Sequence, residues 1–124
     1  MINIIFNFKT KPTKNLEFMQ SAGPIIIDVR KVKGCLGIDL QQDGQDKDTF
    51  RLKLSWQNQN LIRELLKSSE YEFLEGAFKV LCEIQSIEII NGQQTIITDM
   101  HNNRKTSIKK QILSELKHNL SHLK

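Results

Sequence analysis

Residues 56–81 read WQNQNLIRELLKSSEYEFLEGAFKVL. Trp56 closes an alternating run, Thr49 to Trp56, in which Phe50, Leu52, Leu54 and Trp56 share one face and Arg51, Lys53 and Ser55 the other. That period of two predicts a strand with one buried side. From Asn58 to Lys67 the spacing turns helical. Ser68-Ser69-Glu70 interrupts it, and a second helix follows to about Cys82 with Tyr71, Leu74, Ala77, Phe78 and Leu81 on one apolar face. Ser69 with Glu72 three positions on has the form of a capping box. A strand that runs into a broken helix leaves a wedge between the two in which a pocket can form.

Upstream, residues 2–8 alternate, with Ile2, Ile4, Phe6 and Phe8 on one side and Asn3, Ile5 and Asn7 on the other. A helix is expected from Asn15 to Val32, with Leu16, Met19, Ile25, Ile26 and Ile27 as its apolar stripe. Pro24 lies inside that span and predicts a kink or a fresh start, because its ring clashes with the preceding turn and it has no N–H. Gly34 is the expected helix stop. Cys35 to Gln41 reads as a strand with Leu36, Ile38 and Leu40 on one face, and the polar turn 42–47 joins it to Thr49–Trp56 as an antiparallel hairpin.

Downstream, Ile84, Ile87, Ile89 and Ile90 return to strand, Asn91-Gly92 signals a tight turn, and Thr95-Ile96-Ile97 folds back as a fifth strand. The order β-α-β-β-α-β is α+β and ferredoxin-like. Beyond Ser107, Ile108, Ile112, Leu116, Leu120 and Leu123 fit a last amphipathic helix. The chain therefore divides into a domain over residues 1–103 and a basic C-terminal helical extension over residues 104–124, expected to be a solvated amphipathic helix that docks on the domain or on a partner subunit and whose removal leaves the fold intact.

At 124 residues with 39% hydrophobic and 26% charged side chains, the chain has the length and composition of one globular domain. Its net charge of +4 points first to nucleic acid, but six of its 18 basic residues and one of its 14 acidic ones fall in 104–124, so residues 1–103 carry −1. RNA-binding sheets of this topology expose aromatic rings on the central strands, and Arg51 and Lys53 stand on that face here. No nucleic-acid partner is expected. No apolar run approaches the roughly 20 residues that span a bilayer, and the start lacks a basic n-region, so no membrane contact and a cytoplasmic location are expected. Cys35 and Cys82 read as reduced packing residues. Asp39, Asp43, Asp46 and Asp48 crowd one hairpin without the glycine and glutamate spacing of a calcium loop, and read as a solvated turn.

The set Gly34-Cys35-Leu36, a hairpin ending in Trp56, then Leu66-x-Ser68-x-x-Tyr71-x-x-Leu74-x-Gly76-Ala77 resembles the antibiotic biosynthesis monooxygenase domain family, which includes quinol monooxygenases. The resemblance covers roughly residues 2–98. It implies two ferredoxin-like subunits packed sheet to sheet as a dimeric α/β barrel, with a pocket in each between sheet and helices. It also implies oxidation of a phenolic or quinol substrate by molecular oxygen with no cofactor and no metal. By position, Trp56 matches the family's tryptophan at the end of the third strand, and Leu66, Ser68, Gly76 and Ala77 match its helix pattern. Tyr71 stands where phenylalanine is common, Leu65 where many members carry histidine, and Ser55 where many carry glutamate.

On an enzyme reading, Trp56, Tyr71 and Glu64 are the catalytic candidates, and Phe50, Leu52, Leu65, Met19 and Phe78 line the substrate site for a small aromatic molecule. Each has a plainer reading. Trp56 shares a face with Phe50, Leu52 and Leu54 and is equally a core tryptophan. Tyr71 is a helix-face tyrosine. Neither Tyr71 nor Glu64 is a strong base, and Leu65 removes the side chain that would exchange a proton near neutrality. The second hypothesis, on the same fold, is a non-catalytic homodimer that holds a small apolar ligand or only itself. A cavity filled by the chain's own side chains favours the second; a walled cleft of a few hundred Å³ keeps the first.

Overall fold

The alternating runs pair into one five-stranded antiparallel sheet of order β2-β3-β1-β4-β5. In chain order the elements are β1 (Ile2–Thr10), α1 (Asn15–Arg30), β2 (Cys35–Gln42), β3 (Thr49–Trp56), α2 (Gln59–Lys67), α3 (Ser69–Leu81), β4 (Cys82–Asn91), β5 (Gln94–Asp99) and α4 (Ile108–Glu115). The structure is a computed structural model and describes residues 1–100 and 107–117. The ferredoxin-like α+β arrangement is as the sequence pattern implies. The core lies between the sheet and the helices, where Ile2, Ile4, Phe6 and Phe8 of β1 and Phe50, Leu52, Leu54 and Trp56 of β3 meet Phe18, Leu65, Leu74 and Phe78.

Helix α1 departs from expectation twice. It runs unbroken through Pro24. Gln20, Gly23 and Pro24 all face solvent, so the carbonyl that loses its partner to the proline meets water and not the core. Its buried residues are Phe18, Ala22 and Val29, while Leu16, Met19 and Ile27 are exposed. Phe18 sets this rotation: its ring packs 5.2 Å from that of Phe8 and 5.3 Å from that of Phe50, centroid to centroid. A flat aromatic side chain with partners on two strands sets the inward face, so that Ile25 and Ile26 of the expected stripe pack at its margin and Leu16, Met19 and Ile27 are left outside.

Three local details also differ. Ser68, and not Ser69, caps α3: its Oγ accepts the Tyr71 N–H at 3.2 Å and donates to the Leu65 carbonyl at 2.6 Å, so one residue ends α2 and opens α3. The β2 ladder slips between Cys35 and Gly37, and this bulge turns Leu36 out of the core to 58% exposure, leaving Ile38 and Leu40 packed inward. The last hairpin pairs Asn91 with Gln94, so its two-residue turn is Gly92-Gln93, with Gly92 at φ 62°.

On the sheet face turned away from the helices, polar groups satisfy one another across strands. Asn7 Nδ2 donates to Ser86 Oγ at 3.0 Å and to Glu88 Oε2 at 2.7 Å, and Ser55 Oγ donates to Asn3 Oδ1 at 2.7 Å. Ile5 is buried at the centre of this face, opposite Lys53 on one neighbour and Glu88 on the other.

The described part of the C-terminal extension, residues 107–117, docks on the domain as expected, and more deeply than a solvated helix would. Ser107 caps α4 by accepting the Lys110 N–H, and Ile108, Ile112 and Leu116 are buried in the same core cluster as the sheet. Leu120 and Leu123 lie outside the described residues.

Candidate functional site

Trp56 ends β3 buried, and its Nε1 donates to the Lys33 carbonyl at 3.2 Å. Its one polar atom is thus spent on the turn between α1 and β2. The expected substrate wall is equally occupied. Phe50 stacks on Phe8 at 5.6 Å, Phe78 lies 4.9 Å from Phe8 and 5.1 Å from Phe6, and Phe18 fills the space over them. Leu52 and Leu65 are buried with them. The structure thus brings Phe50, Leu52, Leu65, Phe78 and Trp56 together as core, packed ring on ring. Met19 is not among them: it sits on the outer side of α1, 42% exposed, because Phe18 takes the inward position. Glu64 points to solvent from α2, 68% exposed and 3.9 Å from Lys67, and so does not stand beside Tyr71 in the cleft described next.

Among the described residues, Tyr71 is a catalytic candidate that lines a cleft. Its ring is buried, and its hydroxyl donates to Glu75 Oε1 at 3.1 Å, one helical turn further along α3. Glu75, 12% exposed, collects three more donors. The Lys109 N–H reaches Oε1 at 2.7 Å, Ser107 Oγ reaches Oε2 at 3.2 Å, and Lys79 Nζ reaches Oε2 at 3.3 Å. A carboxylate has about four lone-pair sites, and four partners among the described residues engage them. Burial pushes the Tyr71 phenol well above the ordinary 10.0, and the charge and hydrogen bond of Glu75 push the same way. Tyr71 therefore remains a donor at neutral pH and cannot act as the base.

Around this pair lies a cleft of about 300 Å³ lined by Tyr71, Glu72, Glu75, Gly76, Lys79, Ser107 and Lys109. A Cβ added at Gly76 would meet nothing within 4 Å, so the open floor there is not a packing requirement. Sequence reasoning missed Glu75, although the spacing Tyr71, Glu75, Lys79 places all three on one helix face. Ser107 and Lys109 carried no comparable signal, since only folding brings α4 against α3. Among the described residues no group of three or more His, Cys, Asp or Glu side chains could hold a metal ion, and no helix is long and apolar enough to cross a membrane.

The family profile of the antibiotic biosynthesis monooxygenases matches residues 1–73. This chain belongs to that family. SnoaB from Streptomyces nogalater, a cofactor-independent oxygenase, is similar in structure with a TM-score of 0.67 at 13% identity, over 77% of this chain and 95% of its own. A candidate antibiotic biosynthesis monooxygenase from Nitrosomonas europaea gives a TM-score of 0.68 at 14% identity, over 76% of this chain and all of its own. A conserved protein from Methanosarcina mazei Go1 gives 0.63 at 20% identity, over 73% of this chain and 90% of its own. At such identities the likeness establishes the fold. The comparison with curated proteins gave no match. The family match ends at Phe73, so Glu75, Gly76, Lys79 and the whole of α4 stand beyond it.

Proposed function

We propose that this member of the family is a monooxygenase that oxidises a quinol-like or phenolic aromatic substrate with molecular oxygen, without a cofactor, as a homodimer. The observation that carries the reading is the Tyr71–Glu75 pair on the wall of the cleft. Tyr71 holds Glu75 in place as a donor. Lys79, with a side chain 55% exposed, is the most accessible of the four partners of Glu75. A phenol hydroxyl entering from solvent takes the place of Lys79 on Oε2 and passes its proton to the carboxylate. The displaced ammonium stays beside the phenolate and offsets its charge. The phenolate then supplies electrons to oxygen. For a hydroquinone, one oxygen atom enters the ring and the other leaves as water, and the quinol loses all four electrons and becomes a hydroxyquinone. Dimerisation is assigned to the open sheet face, where Ile5 is already buried among partnered polar groups.

The test is oxygen uptake with a panel of hydroquinones and fused-ring phenols. Acceleration over the uncatalysed rate is expected, with Glu75→Gln lowering it about a hundredfold and Gly76→Phe abolishing it by filling the cleft from a position where an added Cβ meets nothing within 4 Å. No acceleration across the panel would sink the reading, and a Gly76→Phe variant as active as the parent would move the site elsewhere.

A second reading, a non-catalytic dimeric module, is favoured by the four phenylalanines that fill the region between β3 and α1, and by Leu65, fully buried where many relatives carry histidine. Saturable binding of a phenol with no oxygen consumed would decide for it.

A further inference from the structure

Small-molecule sites are lined mostly by apolar and aromatic side chains with a few placed polar groups. The cleft beside Tyr71 is lined otherwise. Tyr71 supplies a ring, while Glu72, Glu75, Lys79 and Lys109 bring two negative and two positive charges to about 300 Å³. One pair of these is engaged, with Lys79 Nζ 3.3 Å from Glu75 Oε2. The other is not. Among the described residues, the Glu72 carboxylate and the Lys109 ammonium make no hydrogen bond and no ion pair, with each other or with a third group. The two come from different helices, Glu72 exposed on α3 and Lys109 half-buried at the start of α4. The main chain of Lys109 is held in place: Glu75 accepts its N–H at 2.7 Å, and Ile108 beside it and Ile112 one turn on are buried in the core.

We propose that the cleft takes a zwitterionic phenol, a single ring that bears both an ammonium and a carboxylate, and that Glu72 and Lys109 are the residues that select it. The selection follows from charge. A phenol with a carboxylate alone gains Lys109 but meets Glu72 as a like charge. A phenol with an ammonium alone gains Glu72 and meets Lys109 in the same way. A head group of both signs satisfies both residues and leaves the balanced charge of the cleft unchanged. Size points the same way. A cleft of about 300 Å³ stands at the bottom of the range of roughly 300–1,000 Å³ seen for small-molecule sites, which suits one ring with a short polar substituent. This names the substrate class of the site proposed above, and it rests on that reading for the fate of the phenol hydroxyl at Glu75. Recognition of the head group needs no turnover.

The test is a titration of the full chain, followed by amide chemical shifts, with four matched probes: para-hydroxyphenylglycine, para-hydroxybenzylamine, para-hydroxyphenylacetate and para-cresol. The first, which carries both charges, is expected to bind tightest, with the loss of either charge weakening binding about fivefold, the upper end for an ion pair open to solvent. Glu72→Gln should cost the two amine-bearing probes that factor and spare para-hydroxyphenylacetate. Lys109→Gln should cost the two carboxylate-bearing probes and spare para-hydroxybenzylamine. Both variants remove a charge that has no partner among the described residues and keep the Lys109 N–H, so the fold is retained. Equal affinity for all four probes, tightest binding of para-cresol, binding of none, or a variant that weakens all four alike would overturn the assignment. Charge-selective binding without oxygen uptake on any phenol leaves it standing and removes the catalytic reading. Oxygen uptake with no preference among the probes does the reverse.

Discussion

The indole of Trp56 lies against Gly34: a Cβ built at residue 34 would fall 2.6 Å from Trp56 Nε1 and 2.8 Å from the Leu61 Cβ. Gly34 also has φ +100°, a conformation that L side chains rarely adopt. The pairing of these two residues is thus steric, and it explains their joint presence by fold and not by chemistry. Gly34→Ala is expected to lower stability by roughly 2–4 kcal/mol, read from the urea midpoint. Trp56→Phe loses the bond to the Lys33 carbonyl and costs about 1–3 kcal/mol, and any oxygen uptake by the folded protein is expected to stay unchanged. A large fall in turnover with stability intact would return Trp56 to the catalytic list.

Removal of residues 107–124 is expected to destabilise the chain, contrary to what the basic, amphipathic look of the tail implies. Ile108, Ile112 and Leu116 are all buried, and each such side chain contributes about 1.5–3 kcal/mol by burial. The truncated chain should melt well below the full one or fail to accumulate in soluble form. Equal melting temperatures would show that α4 adds nothing to the core.

Leu65→His introduces the histidine that the family resemblance implies at that position, yet it should not create a base. Leu65 is fully buried within the core, and an imidazole placed there has to find hydrogen-bond partners among apolar side chains. A loss of about 3 kcal/mol is expected, with no gain in oxygen uptake. A stable and more active Leu65→His variant would place the reaction inside the core and not at Glu75.

Stability should fall in alkali. Burial pushes the Cys82 thiol from 9.0 to about 12, a rise that Lys11 nearby only partly opposes, and Tyr71 is raised above 10.0. Both groups keep in the folded chain a proton that the unfolded chain gives up. Their contribution is complete below about pH 9 and is lost as the pH climbs to 12 and beyond. Cys82→Ala and Tyr71→Phe should each flatten the slope of unfolding free energy between pH 9 and 11. The opposite sign holds for exposed Asp46, lowered from 3.8 to about 2 by the Asp48 N–H and by bonds from Lys9 and Thr49. Its contribution is present above 3.8 and fades as the pH falls toward 2.

Gly76 separates packing from function. Alanine there should stabilise α3 by up to about 1 kcal/mol, since nothing lies within 4 Å of the added carbon. Phenylalanine should keep the fold and block phenol binding, measured by calorimetry. Undiminished binding in the Phe variant would rule out this cleft.

The strands were legible because alternation along Ile2–Phe8 and Phe50–Trp56 is a local property, and so were the breaks at Ser68 and Gly92, where backbone geometry selects the residue. The rotation of α1 was not legible. Leu16, Met19 and Ile27 make as good a stripe as Phe18, Ala22 and Val29 until the rings of Phe8 and Phe50 are in place to choose between them. The candidate site was half legible: Tyr71 stood out by type, while Glu75 looked like any exposed helix acid.

By itself, then, the order of apolar and polar side chains determined the ferredoxin-like path of the chain, and the residues carried by that path were enough for the family resemblance. Tertiary structure alone decided that Trp56 and the phenylalanines are core, that α4 is part of it, and that Glu75 gathers donors from two helices. The reason is physical. A strand or turn is chosen by forces acting within a few residues, whereas a cleft and its carboxylate exist only where segments more than thirty residues apart, Glu75 and Ser107 among them, are brought into contact.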